Sequence, residues 1–273
     1  MADIQAAPKY KLDLWVGRRH RYLVYIFAYN EGERLNRQLK RFPDESHRQF
    51  DIMVGDDGTT DGSTERNRIQ PLGVRGATRL PKNSGLSANI QAGIHWLFSQ
   101  DYDGVIFMNG NDRDDPEAIP RFISALEKGY AYVQGSRFLA GGRHVKTPRY
   151  RYWAIRLLHA PLFSLAAGRW MSDTTNGYRA FSLKFLRSPE LCPFQPMSEY
   201  EIEQYLAWYA VRSQYRVTEI PVVRTYANEL GQGMVSSKIR VGVGWWLMLV
   251  PLLRLHLRRA ASFRQRHRLH GNQ

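Results

Sequence analysis

Short apolar runs alternate along the first half of the chain with stretches whose apolar positions recur every three or four residues. Residues 22–28, 50–55, 104–108 and 130–133 are apolar enough to predict buried strands. The intervening spacing predicts helices over 31–41, 87–98 and 116–126, with Pro43 ending the first and Ile94, Leu97 and Phe98 giving the second a buried stripe. Strands alternating with helices predict an α/β fold with a mostly parallel central sheet and helices on both faces. The glycine- and cation-rich stretch 140–148 predicts a mobile loop between this half and the remainder, and no internal repeat or low-complexity tract interrupts the pattern.

Three of the predicted strands run directly into polar clusters. Tyr29-Asn30-Glu31 follows the first, Asp56-Asp57-Gly58-Thr59-Thr60-Asp61-Gly62 the second, and Asn109-Gly110-Asn111-Asp112 the third of these. Just beyond, Asp115-Pro116-Glu117 reads as N-cap, first helical residue and acidic first turn. Any one cluster is explicable as a turn, since Asp and Gly suit tight backbone geometry. Together they gather at the carboxyl ends of parallel strands, where open α/β sheets bind ligands.

Size and charge narrow the reading. A chain of 273 residues with 43% hydrophobic content can bury one large core with an appendage. Its net charge of +14 and isoelectric point near 10.0 call for an anionic partner. Arginine crowds the C-terminal end (Arg254, Arg258, Arg259, Arg264, Arg266, Arg268) after the apolar run 241–253, a pattern that suits a helix on an anionic membrane face. Pro251 and Arg254 interrupt that run, which is shorter than the ~20 apolar residues of a spanning helix. The alternative is that Trp245, Trp246 and Leu247 dock on the core beside a solvated tail. The single cysteine, Cys192, excludes an intramolecular disulfide, and residues 1–8 lack a secretory pattern; both predict a cytoplasmic protein. The eight histidines show no zinc-ligand spacing, Ser136 lacks a nucleophile elbow, and no nucleic-acid motif accompanies the basic charge.

In order and spacing, Ala28-Tyr29-Asn30-Glu31, the Asp56–Gly62 cluster, Asn83-Ser84-Gly85 and the Asn109 cluster ending in Asp115-Pro116-Glu117 resemble the family 2 glycosyltransferases. Gly135-Ser136-Arg137, Asp173 to Arg179, Glu219-Ile220-Pro221 and Ser237-Lys238 resemble the branch that holds dolichyl- and polyprenyl-phosphate sugar synthases and bacterial surface-polysaccharide enzymes. The resemblance covers residues 22–238. It implies a GT-A fold, a nucleotide-diphosphate sugar donor, a divalent metal (Mg²⁺ or Mn²⁺) and inversion at the anomeric carbon. It also implies that Ala28, Tyr29 and Glu31 line the base and ribose pocket and that Asp57 accepts a hydrogen bond from the base, with Asn83, Gly110, Arg137 and Lys238 completing the donor site. Phe27 stands where the family usually has proline, so it either narrows the pocket or packs beneath it.

The metal-binding D-x-D motif of the family falls on Asn109-Gly110-Asn111, with Asp112 beside it. An amide oxygen can coordinate a divalent ion but brings no charge. Three arrangements follow: Asp112 and Asp114 act in a shifted register, the substrate phosphates carry a weakly held metal, or cations such as Arg137, Arg179 and Lys238 replace it. A polyprenyl-phosphate acceptor is already anionic and needs no strong base, whereas a sugar hydroxyl needs a carboxylate within reach. The candidates are Asp173 and then Glu201, with Arg179 beside the phosphates; Asp173 would otherwise hold its loop through Thr174 and Thr175. The reading is therefore an inverting, membrane-peripheral glycosyltransferase on the inner face of the membrane. Residues 1–235 would form its GT-A domain and 236–273 its C-terminal segment, acting on polyprenyl phosphate or a cell-envelope glycan. The alternative is a non-catalytic nucleotide-sugar-binding or scaffold protein.

Overall fold

The computed structural model describes residues 7–226 and 249–257. Its centre is β2 (Tyr22–Ala28), buried at every position. Side chains alternate across a strand, and here both sets are apolar. Leu23, Tyr25 and Phe27 enter one core, while Tyr22, Val24, Ile26 and Ala28 enter the other. A strand of that composition has no solvent face, so it can only lie inside a sheet covered on both sides.

Flanking it in parallel are β3 (Phe50–Asp56) and β5 (Gly104–Asn109), and β4 (Val74–Arg79) continues the parallel set beyond β3. The edge strand β1 (Lys11–Leu14) pairs antiparallel with β4. On the other side of β5 come β8 (Arg179–Ser182), antiparallel to both of its neighbours, then β6 (Tyr132–Ser136) and β9 (Val217–Pro221). The eight strands lie in the order β1-β4-β3-β2-β5-β8-β6-β9.

Helices cover both faces. α1 (Glu33–Lys40) and α4 (Ile119–Glu127) supply Leu35, Leu39, Phe122 and Ile123 to one core. α3 (Leu86–Phe98), α6 (Ala160–Ala167), α7 (Leu183–Leu186) and α8 (Glu201–Arg212) supply Ile94, Phe163, Phe185 and Leu206 to the other. A short α2 (Arg66–Ile69) precedes β4. α5 (Arg149–Ala154) passes through a π-helical turn, Ile155–His159, straight into α6. Residues 249–257 are helical, and Leu252 and Leu255 are buried in the second core.

The strands expected over 22–28, 50–55 and 104–108 form as read, and that expected over 130–133 forms as Tyr132–Ser136. The stretch expected to be a mobile loop, 140–148, contains β7 (Arg143–Val145), which pairs in parallel with β10 (Val223–Thr225). Of the proposed C-terminal segment, Lys238, Trp245, Trp246, Leu247 and the arginines from Arg258 onward lie outside the described residues.

Candidate active site

Register brings the polar strand ends together. Ala28 stands opposite Asp56 on β3, and Phe27 opposite Asn109 on β5, so the loops after all three strands leave one edge of the sheet. They are fastened to one another. Asp57 N–H donates to the Ala28 carbonyl (3.0 Å), Thr60 N–H to Asn30 Oδ1 (2.9 Å) and Gly32 N–H to Asp61 Oδ2 (2.9 Å). Asp56 is structural, accepting from Thr59 N–H, the Thr64 hydroxyl and the Arg79 guanidinium.

Asp57 lies at the start of α3, where its two carboxylate oxygens accept from the backbone N–H groups of Ser84 (2.7 Å) and Gly85 (3.0 Å). Burial pushes its carboxyl up and those two amides oppose the rise. Each oxygen retains a lone pair, so a fixed acceptor remains for a base N–H. Tyr29 is half-buried on the β2 side, Asn83 is exposed on the other, and Glu31 is buried against Arg34 at 2.9 Å. Phe27 packs beneath, its ring 5.5 Å from Tyr25 and 5.3 Å from Phe107. Gly110 is pinned to β2 by its N–H on the Phe27 carbonyl (2.8 Å); a β-carbon there would lie 2.9 Å from the same oxygen, so its role is close approach of backbones.

Past β5 the chain turns through Asp112 in the left-handed region (φ 59°). That turn sends the Asp112 carboxylate toward α1, where Arg37 (3.2 Å) and Arg41 (3.0 Å) pair with it and Gln38 accepts its N–H. Asp114 is fully buried and pairs with Arg224 of β10. Asn109 closes the strand with its N–H on Asp114 (3.3 Å), and Asn111 buries its Oδ1 with no hydrogen-bond partner among the described residues.

Between these loops and β10 lies a cationic cluster around Tyr226. The guanidinium of Arg113 sits 4.7 Å from the centre of the Tyr226 ring, with Arg151 at 5.7 Å and Arg224 at 5.9 Å. Arg137 Nη1 donates to its hydroxyl at 3.4 Å. Burial would raise the Tyr226 phenol, but Arg224, Arg137 and Arg151 outweigh it and bring it down to about 7.

Three expected roles need correction. Asp173, expected as a base, forms a bidentate pair with Arg137 (2.7 and 2.8 Å) and also accepts the Arg137 N–H. Burial pushes the Asp173 carboxyl up, but Arg137 more than offsets this and holds it below the usual range, which leaves a poor proton acceptor. Glu201, the second candidate, accepts from the Ser198 N–H and hydroxyl in the loop ahead of α8 and pairs with Arg254 of the C-terminal helix. Asp112, expected near a metal, is held on α1 by its two arginines.

Arg179 spends its guanidinium on the carbonyls of Asn176, Glu203 and Thr174, which holds the 173–179 loop against α8. That contact exposes a residue the sequence reading did not single out. Glu203 Oε1 lies 2.9 Å from where a β-carbon of Gly177 would stand, and Asn109 Nδ2 is equally near the same point. Burial raises the Glu203 carboxyl, with Arg179 and Arg224 opposing the rise. The signal available was its place one turn inside α8, facing the same way as the apolar positions. Arg113 and Tyr226 were missed as well, because only folding brings β5, α5 and β10 together.

The family model for glycosyl transferase family 2 matches residues 23–187. The undecaprenyl-phosphate mannosyltransferase of Micrococcus luteus is 28% identical over 225 residues, covering 80% of this chain and 89% of that protein. The polyprenol monophosphomannose synthase of Mycolicibacterium smegmatis is 30% identical over 226 residues, covering 81% and 83%. Among solved structures, glucosyl-3-phosphoglycerate synthase from Mycobacterium tuberculosis with Mn²⁺, UDP and phosphoglyceric acid superposes with a TM-score of 0.63 at 16% identity, covering 88% of this chain and 78% of that one. The same enzyme has been solved with Mg²⁺ and UDP.

The divalent metal that the family resemblance implies is not matched by the donor set at the end of β5. A hard cation wants anionic oxygens. Asn109 and Asn111 are neutral, and Asp112 and Asp114 are turned to arginines. Among the described residues no cluster of three or more His, Cys, Asp or Glu converges on one point. With the family model spanning more than half the chain and the sheet of a GT-A enzyme around it, the chain belongs to the family 2 glycosyltransferases and is a glycosyltransferase.

Proposed function

We propose that this enzyme transfers a sugar, with inversion, from a nucleoside-diphosphate donor to a polyprenyl phosphate at an anionic membrane face. The observation that carries the choice of acceptor is the fate of the two carboxylates expected to act as base. Asp173 and Glu201 are both paired with arginine, and a phosphate acceptor needs neither, since its oxygen is ionised at neutral pH. The named activities of the relatives from Micrococcus luteus and Mycolicibacterium smegmatis, both acting on polyprenyl carriers, support the same acceptor.

In this reading the base lies between Tyr29 and Asp57, and the diphosphate extends past Asn109 and Asn111 toward Arg113. The acceptor oxygen attacks the anomeric carbon on the face opposite the diphosphate. One carbon–oxygen bond forms as the bond to the leaving diphosphate breaks, and the charge that gathers on the latter meets guanidinium groups already in place. Arg137, locked by Asp173, orients Tyr226 and shapes the cluster. A hydroxyl acceptor would instead call on Glu203, whose raised carboxyl stands beside Asn109 and Gly177.

Membrane contact is supported by the outer face of the α5–α6 helix. Tyr150, Trp153, Leu157 and Leu165 are at least half-exposed there, Leu157 at 69%, and Leu253 and Leu257 are exposed on the C-terminal helix that bonds to Leu162 through His256. Arg149, Arg151, Arg156 and Arg169 lie along the same segment. Apolar side chains flanked by cations suit an anionic lipid surface. No helix among the described residues is long and apolar enough to cross a membrane.

The test is transfer from labelled UDP- and GDP-sugars into undecaprenyl phosphate in mixed vesicles, read as label extracted into organic solvent. Extractable sugar-phosphate lipid is expected. Transfer confined to soluble glycans would reject the phosphate acceptor and turn attention to Glu203.

A further inference from the structure

We infer that Glu203 and Asn109 form the subsite for the transferred sugar, a neutral hexosyl group whose hydroxyls they read beside Gly177. The inference deepens the donor reading above and rests on it. Asn109 ends β5, and β8 runs antiparallel beside that strand with Phe107 opposite Arg179. Two residues further along, the same register sets Gly177 across from Asn109. A β-carbon on Gly177 would lie 2.9 Å from Asn109 Nδ2 and 2.9 Å from Glu203 Oε1. The two polar ends therefore lie within twice that distance of each other. One hydroxyl bridges such a span by donating to the carboxylate and accepting from the amide.

The surroundings leave the pair open for such a bridge. Arg179 approaches the Glu203 carboxylate at 3.8 Å, beyond hydrogen-bond reach, since its guanidinium donates to the carbonyls of Asn176, Glu203 and Thr174. Charge is balanced there while the carboxylate lone pairs are not used. Neither the Glu203 carboxylate nor the Asn109 side-chain amide has a hydrogen-bond partner among the described residues. The Glu203 side chain is 11% exposed and Asn109 is half-buried, so both reach the space at the strand ends. A largely buried carboxylate that accepts no hydrogen bond is costly until a ligand supplies the donors. The mounting is rigid as well. Asn176 Nδ2 donates to the Gly135 carbonyl (2.9 Å), Gln134 Nε2 to the Asn176 carbonyl (3.0 Å) and Arg179 Nη1 to the Glu203 carbonyl (2.6 Å), which ties the glycine loop to β6 and α8.

Position and charge together name the ligand. In the donor reading the diphosphate lies past Asn109, so the group it carries comes to rest between Asn109 and the 173–179 loop. A carboxylate takes charge-assisted hydrogen bonds from hydroxyls and repels an acidic group, so the pair suits a hexose with free hydroxyls and not a uronic acid. The amide completes the recognition, because its N–H₂ donates to a hydroxyl oxygen and its carbonyl accepts from a second hydroxyl. A phosphate acceptor leaves Glu203 no proton to take, and its carboxylate is then a group that binds the donor sugar. Glycine at 177 keeps the two side chains converged, since any side chain there would push both aside.

The test is calorimetric titration of UDP, GDP, UDP-glucose, UDP-galactose and GDP-mannose into the full chain, in EDTA and in Mn²⁺, with the wild type, Glu203→Gln and Gly177→Ala. The new β-carbon of Gly177→Ala meets only the ends of two side chains, which can turn away, so this variant keeps the fold and displaces both groups at once. At least one of the nucleotide sugars is expected to bind the wild type. Both variants should weaken that nucleotide sugar about tenfold or more and bind its bare nucleoside diphosphate at least as tightly as the wild type does, with melting curves confirming that they are folded. Equal weakening of the nucleotide sugar and the bare diphosphate, or no weakening in either variant, overturns the inference and leaves the donor site standing. Binding of a bare diphosphate but of none of the neutral nucleotide sugars has the same meaning. No binding of any of the five in either condition overturns the donor site itself, and the inference with it.

Discussion

Arg137 and Asp173 illustrate how burial decides what an ionisable residue can do. With side chains 2% and 0% exposed, they are bonded bidentately, and neither can leave its partner without stranding a charge in the core. Asp173→Asn should therefore cost about 3–5 kcal/mol, read as a fall in the urea midpoint. The pH dependence has a definite sign. The folded carboxyl lies below its unfolded value, so the pair stabilises fully above the unfolded value, and that contribution drains away as pH falls through the depressed folded one. The acid limb of the stability profile should be shallower in the Asn variant. Tyr226 gives a second prediction. With its phenol near 7, it gains a negative charge as pH rises through that value, and a phenolate beside the diphosphate opposes binding. Affinity for a nucleotide sugar, whose own phosphates do not titrate there, should decline above neutral pH in the wild type and stay level in Tyr226→Phe. A level wild-type profile would show that Tyr226 does not face the donor. None of this was legible in the chain, because an arginine's partner is fixed by topology. The clusters after β2, β3 and β5 were legible, since each directly follows an apolar run.

The elements tell the same story in reverse. β2, β3 and β5 announce themselves because they are central, and a strand covered on both faces must be apolar throughout. β4 reads Val-Arg-Gly-Ala-Thr-Arg, and its two arginines find partners in Asp51, Asp56 and Asp13 that no local pattern displays. β8 is four residues long and antiparallel, and it lies between β5 and β6, so it interrupts the mostly parallel sheet, which resumes where β6 pairs in parallel with β9. The loop after β3 is where element geometry bears most directly on the site. Gly58 has φ 72°, and a β-carbon there would lie 2.5 Å from the Lys82 carbonyl carbon. That close approach lets Asp57 reach the amides of Ser84 and Gly85. Gly58→Ala should cost at least about 1–2 kcal/mol in backbone strain alone and should loosen the carboxylate. Calorimetry should find nucleotide affinity reduced more than the melting point; an unchanged affinity would remove Asp57 from the base pocket.

At the scale of the molecule, the sheet divides its labour along its length, with the parallel strands ending at the proposed donor pocket and the mixed strands carrying the arginine cluster and the α5–α6 helix. In the proposed reading, a phosphate-binding interior lies behind an apolar, cation-edged exterior, an arrangement in which a lipid-borne phosphate would reach the site without leaving its membrane. In that reading the net charge of +14 would act at long range and the exposed side chains at short range. Screening separates them, since charge is felt over about 30 Å at 0.01 M salt and about 8 Å at 0.15 M, whereas apolar insertion is not weakened by such salt. The double variant Trp153→Ala/Leu157→Ala removes two exposed apolar groups, each worth up to about 1.5–3 kcal/mol if fully buried in lipid. In co-sedimentation with vesicles containing phosphatidylglycerol, the wild type should bind at both salt levels. The double variant should bind at low salt only, because its charge remains and its anchor is gone. Equal binding of the two proteins at 0.15 M would take the α5–α6 face out of the membrane contact and leave attraction to the surface as a matter of charge alone.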